Sequence, residues 1–441
     1  MLAKVQNQFR NIIEREPEKY YADFLQCKEK VNNSTAIYKD KVVNFLYQGL
    51  FFSEGDFKEL ELLLEGITDI LNKVIRAYKE NPGFRKLFPF SPLMEELILI
   101  ETGYQVNFPM GRFDIFYKDN GEHIFCELNT DGSSAMNEIR VLQEVMGESQ
   151  VFVELKKTYE LKGFELFESW LEELIKNYKE FNNGIDDKPN IGILDFTEDG
   201  TIYEFREFQK VFQEKGYNTF ICDPRELSYK GGKLYYKDNW IRLIYRRATT
   251  MRLVEEAGQI GDFLTAYREG AVCVVGGLVS QLVHNKVLFA ILHDQNKVDF
   301  LTEGEKEYIK RHIPYTALLD VNEEDTIKRL IEEKDHWILK PLDLYAGKGV
   351  YAGRDFTPPE WERIIRGLGD KEYIYQEFIE IPVLPMLNFA ENKGFENFGF
   401  LLGLYTYNHR LAGLYTRAGR KNIIGDIAES FTVPNFICKE V

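Results

Sequence analysis

One short segment of the chain holds acidic residues at a spacing that suits metal binding. The segment GRFDIFYKDNGEHIFCELNTDGSS (111–134) contains Asn120-Gly121 between two stretches of strand-like sequence. Asn-Gly favours a two-residue type I′ hairpin turn, because both central positions need positive φ. A two-residue loop sets the register of the two strands. The predicted cross-strand pairs are Asp119 with Glu122, Phe116 with Phe125, Asp114 with Glu127, and Arg112 with Asn129.

This register gives the hairpin one polar and one apolar face, because side chains alternate along a strand. The polar face carries Arg112, Asp114, Glu127 and Asn129. Carboxylates that lie directly opposite each other repel, and carboxylate and amide oxygens suit Mg²⁺. Arg112 suits a phosphoryl or carboxylate group. The alternative is a solvated face on which Arg112 neutralises the acids. The opposite face, expected on the core, carries Phe113, Ile115, Tyr117, Ile124, Cys126 and Leu128.

The residues that follow the hairpin have the composition of an anion-binding turn. The stretch NTDGSSAMNE (129–138) holds hydroxyl groups and precedes a predicted helix. Backbone N–H groups at the start of a helix attract anions. The sequence therefore predicts an anion site next to the acidic pair.

A glycine-rich loop provides a second set of candidates for phosphate binding. The chain has no GxxxxGK[ST] motif, because Gly347-Lys348 is followed by Gly349. Lys340-Pro341 ends an apolar strand, and the loop leads from there into the next strand. A loop of this kind folds over phosphates and offers backbone N–H donors, while Lys340 could neutralise an α- or β-phosphate. The alternative is a tight hairpin with surface lysines.

The elements that carry these residues alternate between helix and strand, which is typical of an α/β fold. Apolar spacing predicts a helix over 57–80, and Ser91-Pro92 predicts the start of a helix over 91–103. A helical stretch is expected over 135–182, and IGILDF (191–196) begins a β-α-β unit that ends at 223. Gly231-Gly232 predicts a second hairpin. Further strands are predicted at 240–247, 271–277, 336–341, 346–353 and 373–380, with two long strands at 398–419 that join near Asn408.

The composition excludes several classes of protein. The 441 residues allow about three domains, and 44% apolar with 29% charged residues is ordinary globular usage rather than that of a disordered chain. The 71 acidic and 55 basic residues give a net charge of −16, which argues against a nucleic-acid or anionic-membrane partner. The five scattered cysteines form no zinc or disulfide pattern. We expect a cytoplasmic protein without a membrane segment.

The order of the motifs resembles that of a known enzyme family. The motifs R-x-D, E-x-N-x-D, R-R, N-K, L-K-P, G-K-G, Y-Q-E and a late T-R follow one another within residues 105–441. This order is similar to the ATP-grasp ligase domain of glutathionylspermidine synthase and its circularly permuted relatives. Most ATP-grasp enzymes have their metal carboxylates near the C-terminus, but residues 397–425 contain no Asp or Glu. The hairpin at 111–129 supplies them instead.

The resemblance implies an α/β (α+β) ATP-grasp fold with a pre-ATP-grasp α/β domain and an N-terminal helical region. The implied divisions are an N-terminal helical region (1–100), the metal-ligand hairpin and helices of the core (101–185), the pre-ATP-grasp domain (186–296), a lid with the glycine-rich loop (297–380) and the C-terminal part of the core (381–441).

The resemblance also implies a role for each matching residue. Asp114, Glu127 and Asn129 match Mg²⁺ ligands, and Arg112 matches the arginine that contacts the transferred phosphoryl group and the acyl phosphate. The implied nucleotide-binding residues are Lys286, Lys340, Gly347, Lys348 and Gly349 at the phosphates, and Gln376 and Glu377 on the adenine side. Arg417 matches an arginine that reaches the γ-phosphate, and Ser133 and Ser134 match positions beside the acyl acceptor.

The implied activity is ATP-dependent ligation of a small carboxylate to a small amine through an acyl phosphate, with ATP and Mg²⁺ as cofactors. An ATP-grasp kinase, a non-catalytic nucleotide-binding scaffold and a plain interaction module are the alternatives. Arg246 and Arg247 could hold a substrate carboxylate or form a salt-bridged strand end, and acidic residues outside the metal site could recognise a polycationic amine. The sequence leaves the acid, the amine and the oligomeric state open.

Overall fold

The structure is a computed structural model that describes residues 3–38, 40–118, 120–185, 187–344, 347–391, 394–425 and 430–441. Two of the predicted helices begin directly after capping residues. Ser53 and Asp56 form a reciprocal capping box at the start of the helix predicted over 57–80. The Ser91 hydroxyl accepts the Met94 amide (3.2 Å) at the start of the next predicted helix, which ends at Ile98 rather than at 103. None of the described helices is long and apolar enough to cross a membrane. The described α-helices are α1 (Ala3–Arg15), α2 (Pro17–Asn32), α3 (Glu54–Glu80), α4 (Pro82–Arg85), α5 (Pro92–Ile98), α6 (Met136–Gly147), α7 (Gln150–Leu155), α8 (Glu168–Phe181), α9 (Ile202–Glu214), α10 (Thr250–Glu255), α11 (Gly261–Arg268), α12 (Gln281–His284), α13 (Val287–His293), α14 (Glu303–His312), α15 (Glu324–Glu332) and α16 (Pro358–Gly367).

Turns between strands contain residues that adopt positive φ. Gly231 and Gly232 have φ of 58° and 74°, which confirms the predicted second hairpin, and Asn408 has φ of 43° at the predicted junction of the two long strands. The described strands are β1 (Ile37–Tyr38), β2 (Lys41–Val42), β3 (Leu50–Phe52), β4 (Met110–Phe116), β5 (Ile124–Asn129), β6 (Tyr159–Lys162), β7 (Ile191–Leu194), β8 (Thr219–Cys222), β9 (Leu227–Lys230), β10 (Lys233–Tyr236), β11 (Asn239–Ile241), β12 (Leu243–Arg246), β13 (Cys273–Val275), β14 (Thr316–Leu318), β15 (Trp337–Pro341), β16 (Tyr351–Ala352), β17 (Tyr373–Glu377), β18 (Val383–Asn388), β19 (Gly394–Tyr407), β20 (Arg410–Gly419), β21 (Phe431–Val433) and β22 (Asn435–Glu440).

The central sheet is antiparallel and joins the hairpin to the C-terminal strands. Its order is β21-β20-β19-β4-β5, and β18 pairs with the first half of β19 while β4 pairs with the second half. One face packs on α3 and α13 in the largest apolar cluster, to which β4 contributes Phe113 and Ile115, both fully buried. The other face of β4 and β5 is therefore free to carry polar side chains.

A second sheet is parallel and has the order β13-β12-β7-β8. It confirms the predicted β-α-β unit, because α9 connects β7 to the parallel strand β8. The carboxyl ends of parallel strands meet at one edge, where α/β folds bind ligands. Asp195 follows β7 there, and Arg246 and Arg247 lie at the end of β12.

A third sheet carries the glycine-rich loop. It is antiparallel, with the order β14-β17-β15-β16. The loop connects β15 to β16, as predicted, and α15 and α16 pack on the sheet through Leu330, Trp361 and Ile365, all fully buried.

Two regions predicted as purely helical also contain strands. In the first hundred residues β1 and β2 form a small hairpin, and β3 pairs in parallel with β22. Within 135–182, β6 pairs with the other edge of β22. Both predictions are wrong at these strands. The partner of β3 and β6 is β22, near the other end of the chain, so local periodicity could not reveal their pairing.

Candidate active site

The register of the hairpin brings the predicted polar residues together. Asp114 lies opposite Glu127 and Arg112 lies opposite Asn129, which confirms both predicted pairs. The predicted Phe116–Phe125 pair is wrong, because the register shifts by one residue after Asp114 and Phe116 faces Ile124. The predicted pair of Asp119 with Glu122 lies outside the described residues.

A β-bulge causes this shift, since β5 has one more residue than β4 between the two registers. The bulge turns Phe125 into the core, where it is fully buried beside Ile115. Ile124 and Cys126, predicted on that face, lie outside this core cluster. The Cys126 sulfur instead lies 3.9 Å from the Lys340 amino group. The correction leaves the four polar residues on one face, because the bulge begins beyond them.

Arg112 and the acidic pair form a buried, hydrogen-bonded network. Arg112 Nε and Nη2 donate to the two oxygens of Asp114 (2.8 and 3.1 Å). Asn129 Nδ2 donates to Glu127 Oε1 (3.0 Å) and to Asp114 Oδ2 (3.4 Å). The contact between Arg112 and Asp114 agrees with the alternative in which the arginine neutralises the acids. Both carboxylates nevertheless remain within reach of one point, the Asn129 amide nitrogen.

The donor set fits a divalent cation if the Asn129 amide turns by 180° and presents its oxygen. Among the described residues no three His, Cys, Asp or Glu side chains are placed to hold a metal, so an ion here depends on that amide as the third ligand. Burial raises the pKa of Glu127, but Lys286, the Asn129 hydrogen bond and Lys340 outweigh it and lower this pKa to about 2. Glu127 is thus ionised, which is the state that a cation ligand requires, whereas burial raises the pKa of Asp114.

The backbone of Gly403 makes room for this network. Gly403 lies on β19 directly opposite Asp114. A Cβ at this position would come within 2.8 Å of both Arg112 Cδ and Asp114 Oδ1. Any larger residue would therefore displace the arginine and the acid. Sequence reasoning missed Gly403, because a single glycine in a strand does not reveal what lies across the sheet.

Two of the predicted lysines lie next to strand β5 of the hairpin. Lys286 Nζ lies 4.0 Å from Glu127 Oε2 and donates to the Leu344 carbonyl (2.9 Å). Lys340 Nζ donates to Gln376 Oε1 (2.8 Å) and to the Cys126 carbonyl (3.2 Å). Burial lowers the pKa of Lys286, and the charge of Glu127 opposes this effect. The structure therefore joins Lys286, Lys340 and Gln376 to β5, whereas Glu377 is exposed.

The described part of the glycine-rich loop folds toward the C-terminal strands. Gly347 and Gly349 have φ of 71° and 69°, a conformation that favours glycine. A Cβ on Gly347 would lie 3.3 Å from the Ile423 side chain and 3.5 Å from the Gly425 backbone. Lys348 is exposed. Arg417 reaches the same segment, because its Nη1 donates to the Gly425 carbonyl (3.2 Å).

These residues surround a cavity of about 540 Å³. It lies between the polar face of the hairpin, the loop and the carboxyl edge of the parallel sheet. The predicted residues that line it are Arg112, Asp114, Glu127, Asn129, Ser133, Ser134, Arg247, Gly347 and Arg417. The other predicted residues, Lys286, Lys340, Lys348, Gly349, Gln376, Glu377 and Arg246, are outside this lining.

Comparison with known proteins identifies the family to which this architecture belongs. A family profile described as glutathionylspermidine synthase pre-ATP-grasp matches residues 52–437. The chain belongs to this family. A search of curated proteins returns no significant match.

One solved structure with a similar fold spans nearly the whole chain. A glutathione synthetase-like effector from Globodera pallida, in its apo form, has 11% identity and a TM-score of 0.54, over 96% of this chain and 98% of that one. A putative γ-glutamylcysteine synthetase from Methylobacillus flagellatus has 12% identity and a TM-score of 0.42, over 88% and 89%. A RimK-domain ATP-grasp protein from Sphaerobacter thermophilus has 14% identity and a TM-score of 0.29, over 56% and 89%. The fold is α/β ATP-grasp, and membership of the family indicates an ATP-dependent ligase in general.

The two arginines at the end of β12 have different surroundings in this family member. Arg246 is fully engaged by protein groups: it pairs with Asp131 and donates to the Ala248 carbonyl (2.6 Å) and the Ser280 hydroxyl (2.9 Å). These contacts agree with the alternative of a salt-bridged strand end. Arg247 pairs with Glu204 (2.9 Å) but also lines the cavity.

The predicted anion site at the start of α6 is already filled by a protein carboxylate. Glu204 Oε2 accepts the backbone amides of Met136 (2.7 Å) and Asn137 (3.2 Å). The Ser133 hydroxyl donates to the Asn129 carbonyl (2.6 Å). Glu204 belongs to α9, 68 residues further along the chain from Met136, so the local sequence could not show this contact.

Sequence reasoning missed several further residues that line the cavity, among them Glu138, Asp195, His284 and Asp343. Burial and the neighbouring Glu204 raise the pKa of Glu138 to about 7. Burial raises the pKa of Asp195 to about 7 as well, against the attraction of Arg247. Glu138 is the last residue of the hydroxyl-rich segment 129–138, and its place in that segment was the sequence feature that could have indicated it.

Proposed function

We propose that the protein is an ATP-dependent carboxylate–amine ligase that forms an amide through an acyl phosphate and releases ADP and phosphate. The observation that carries this proposal is the convergence of Arg112, Asp114, Glu127, Asn129 and Arg417 on one cavity. Phosphoryl transfer needs mainly positioning and neutralisation of charge. This cavity offers guanidinium groups for both and carboxylates for a metal ion.

In the proposed mechanism the protein neutralises the phosphates of ATP while a substrate carboxylate attacks the γ-phosphorus. Lys286 and Lys340, which lie next to β5, neutralise the charge of the phosphate chain, and Arg417 neutralises the charge of the γ-phosphate. Asp114, Glu127 and Asn129 would hold Mg²⁺, which when bound offsets charge on the phosphate oxygens. Arg112 then steadies the acyl phosphate, and the loop that contains Gly347 excludes water from it.

The arrangement of Arg112 supports this division of roles. The guanidinium is held from two sides, by Asp114 and by the Ser134 carbonyl (3.1 Å), and it lies over the ring of Tyr415, 5.0 Å from the centroid. A side chain fixed in this way loses little entropy when it binds an anion, which favours tight positioning of the transferred group.

An ADP-release assay with Mg²⁺ tests the proposal. Small acids and amines are combined in pairs, and hydroxylamine replaces the amine in a parallel series. We expect ADP release that requires an acid, together with a hydroxamate when hydroxylamine is present, because hydroxylamine captures an activated acyl group. ADP release with a stable phosphorylated product and no amide would indicate a kinase instead. Absence of ADP release with every pair would contradict the proposal.

A further inference from the structure

The segment that precedes the residues matched by the family reaches the candidate active site. The family match begins at residue 52. Tyr38, in the short strand β1, nevertheless lines the same cavity as Arg112 and Arg417. The cavity wall in this protein therefore includes a side chain that lies before the family match.

Hydrogen bonds hold this segment against the first turn of α6. Asn137 Nδ2 donates to the Thr35 carbonyl (2.6 Å) and to Thr35 Oγ1 (3.1 Å). Asn137 is 2% exposed and Ala36 is 0% exposed, so the contact is closed to solvent. The Thr432 amide donates to the Asn44 carbonyl (2.8 Å), which ties the other end of the segment to the core. The described residues on either side of Tyr38, 34–37 and 40–44, thus tie this segment to the core, and Tyr38 lines the cavity between them.

The same turn of α6 presents a carboxyl group that lacks a partner in the described structure. Glu138 is 5% exposed and lines the cavity. Its Oε2 has no hydrogen-bond partner among the described residues. A buried carboxyl oxygen ordinarily accepts at least one hydrogen bond. A ligand N–H group in the cavity would satisfy it.

We propose that Tyr38 and Glu138 form the subsite for the attacking amine, with Glu138 accepting an N–H group and Tyr38 limiting the size of the amine. This inference rests on the proposed ligase function. The positions suit it because Asn137 couples the segment of Tyr38 to the turn of Glu138. Arg112 and Arg417 line the same cavity and would bind the anionic groups, whereas the unpartnered Glu138 oxygen can accept a hydrogen bond from the amine.

The test measures how the protein chooses between amines. Tyr38→Ala is compared with the wild-type chain over a series of primary amines from methylamine to branched and aromatic amines, by ADP release. We expect kcat/KM for the bulkiest amine, relative to methylamine, to rise at least tenfold, because a methylene in a pocket changes discrimination by roughly 10- to 200-fold. The KM for ATP stays unchanged. This ratio does not depend on the fraction of folded protein, so partial misfolding cannot imitate the result.

Matched controls separate the subsite from general effects of substitution. Tyr235→Ala changes a half-buried tyrosine on β10 that is outside the cavity lining, and it leaves the ratio at the wild-type value. Glu138→Gln raises the KM for the amine at least tenfold without changing the KM for ATP, whereas Glu144→Gln, at an exposed position of the same helix, changes neither.

Each outcome has one meaning. If the wild-type chain releases ADP and the Tyr38→Ala variant keeps the same amine preference, the proposed subsite is wrong. The proposed ligase function is not affected by that result. An unchanged KM for the amine in Glu138→Gln overturns the role of that carboxyl group. If no acid and amine pair supports ADP release by the wild-type chain, the ligase function fails and the inference fails with it.

Discussion

Asp114 and Glu127 face each other across β4 and β5, and the Asn129 amide donates to both. Opposed acids in a sheet are unfavourable unless positive charge or hydrogen bonds compensate them. Here Arg112 compensates Asp114, and Lys286 lies 4.0 Å from Glu127. Two buried cations therefore compensate the two neighbouring acids, an arrangement that fits the cation site proposed above.

Removal of one of these charges should abolish turnover and leave the fold intact. We expect Glu127→Gln and Asp114→Asn to lower ADP release at least 100-fold, which is the usual effect of losing one charge-stabilising group in an active site. Circular dichroism should show the wild-type secondary structure. The control is Glu122→Gln, at an exposed position of the same hairpin, with wild-type turnover. Unchanged ADP release in either site variant would refute the metal-binding role.

A methyl group at Gly403 should disturb the site from the opposite strand. The Cβ of Gly403→Ala would lie 2.8 Å from Arg112 Cδ and Asp114 Oδ1, so both side chains must move. Overpacking of this kind costs about 1–3 kcal/mol of stability, and displaced catalytic groups should lower ADP release at least tenfold. Gly367→Ala is the control, because a Cβ there meets nothing within 4 Å. Wild-type activity of Gly403→Ala would show that the placement of Arg112 is not critical.

The buried carboxyl of Glu138 should make stability depend on pH. Burial and Glu204 raise its pKa from 4.5 to about 7, so between these values the folded chain binds more protons than the unfolded chain. The free energy of unfolding therefore falls as pH rises through this window. Glu138→Gln removes this pH dependence. Relative to the wild-type chain, its free energy of unfolding should therefore increase by up to about 3 kcal/mol as the pH rises from 4.5 to 8.

Denaturant unfolding of the two chains at several pH values, without nucleotide or metal, measures this difference. Contributions of other groups cancel in the comparison. Glu144→Gln, on the exposed side of α6, should follow the wild-type curve. A constant difference between Glu138→Gln and the wild type from pH 4.5 to 8 would show that Glu138 has no raised pKa.

Local sequence predicted those parts of the site that depend on neighbouring residues. Alternation and the register placed Asp114 opposite Glu127, and Asn408 marked the turn between β19 and β20. The predicted pairs far from the turn, such as Asp114 with Glu127, were correct, whereas the predicted pair near the turn, Phe116 with Phe125, was wrong. The register next to the turn differs by one residue from the prediction, and the extra residue of the bulge in β5 restores the predicted register beyond it. A bulge depends on what lies above and below the sheet, which two strands do not reveal.

The remaining parts of the site arise from contacts between distant segments. Glu204 caps α6 from α9, and Tyr38 enters the cavity from β1. Gly403 is explained only by what faces it across the sheet. No spacing rule connects these residues, and motif order pointed to the family without them.

Arg246 offers a distinction between a structural and a substrate-binding arginine. Its ion pair with Asp131 leaves both side chains 1% exposed, and breaking a buried pair typically costs about 3–5 kcal/mol. We expect Arg246→Ala to lose stability by that amount in thermal or denaturant unfolding, because Asp131 remains as an unpaired buried charge. Arg268→Ala is the control: its pair with Glu96 is 39% and 52% exposed, and such pairs contribute about 0–1 kcal/mol. A stable Arg246→Ala variant with a raised KM for the carboxylate would instead assign Arg246 to the substrate.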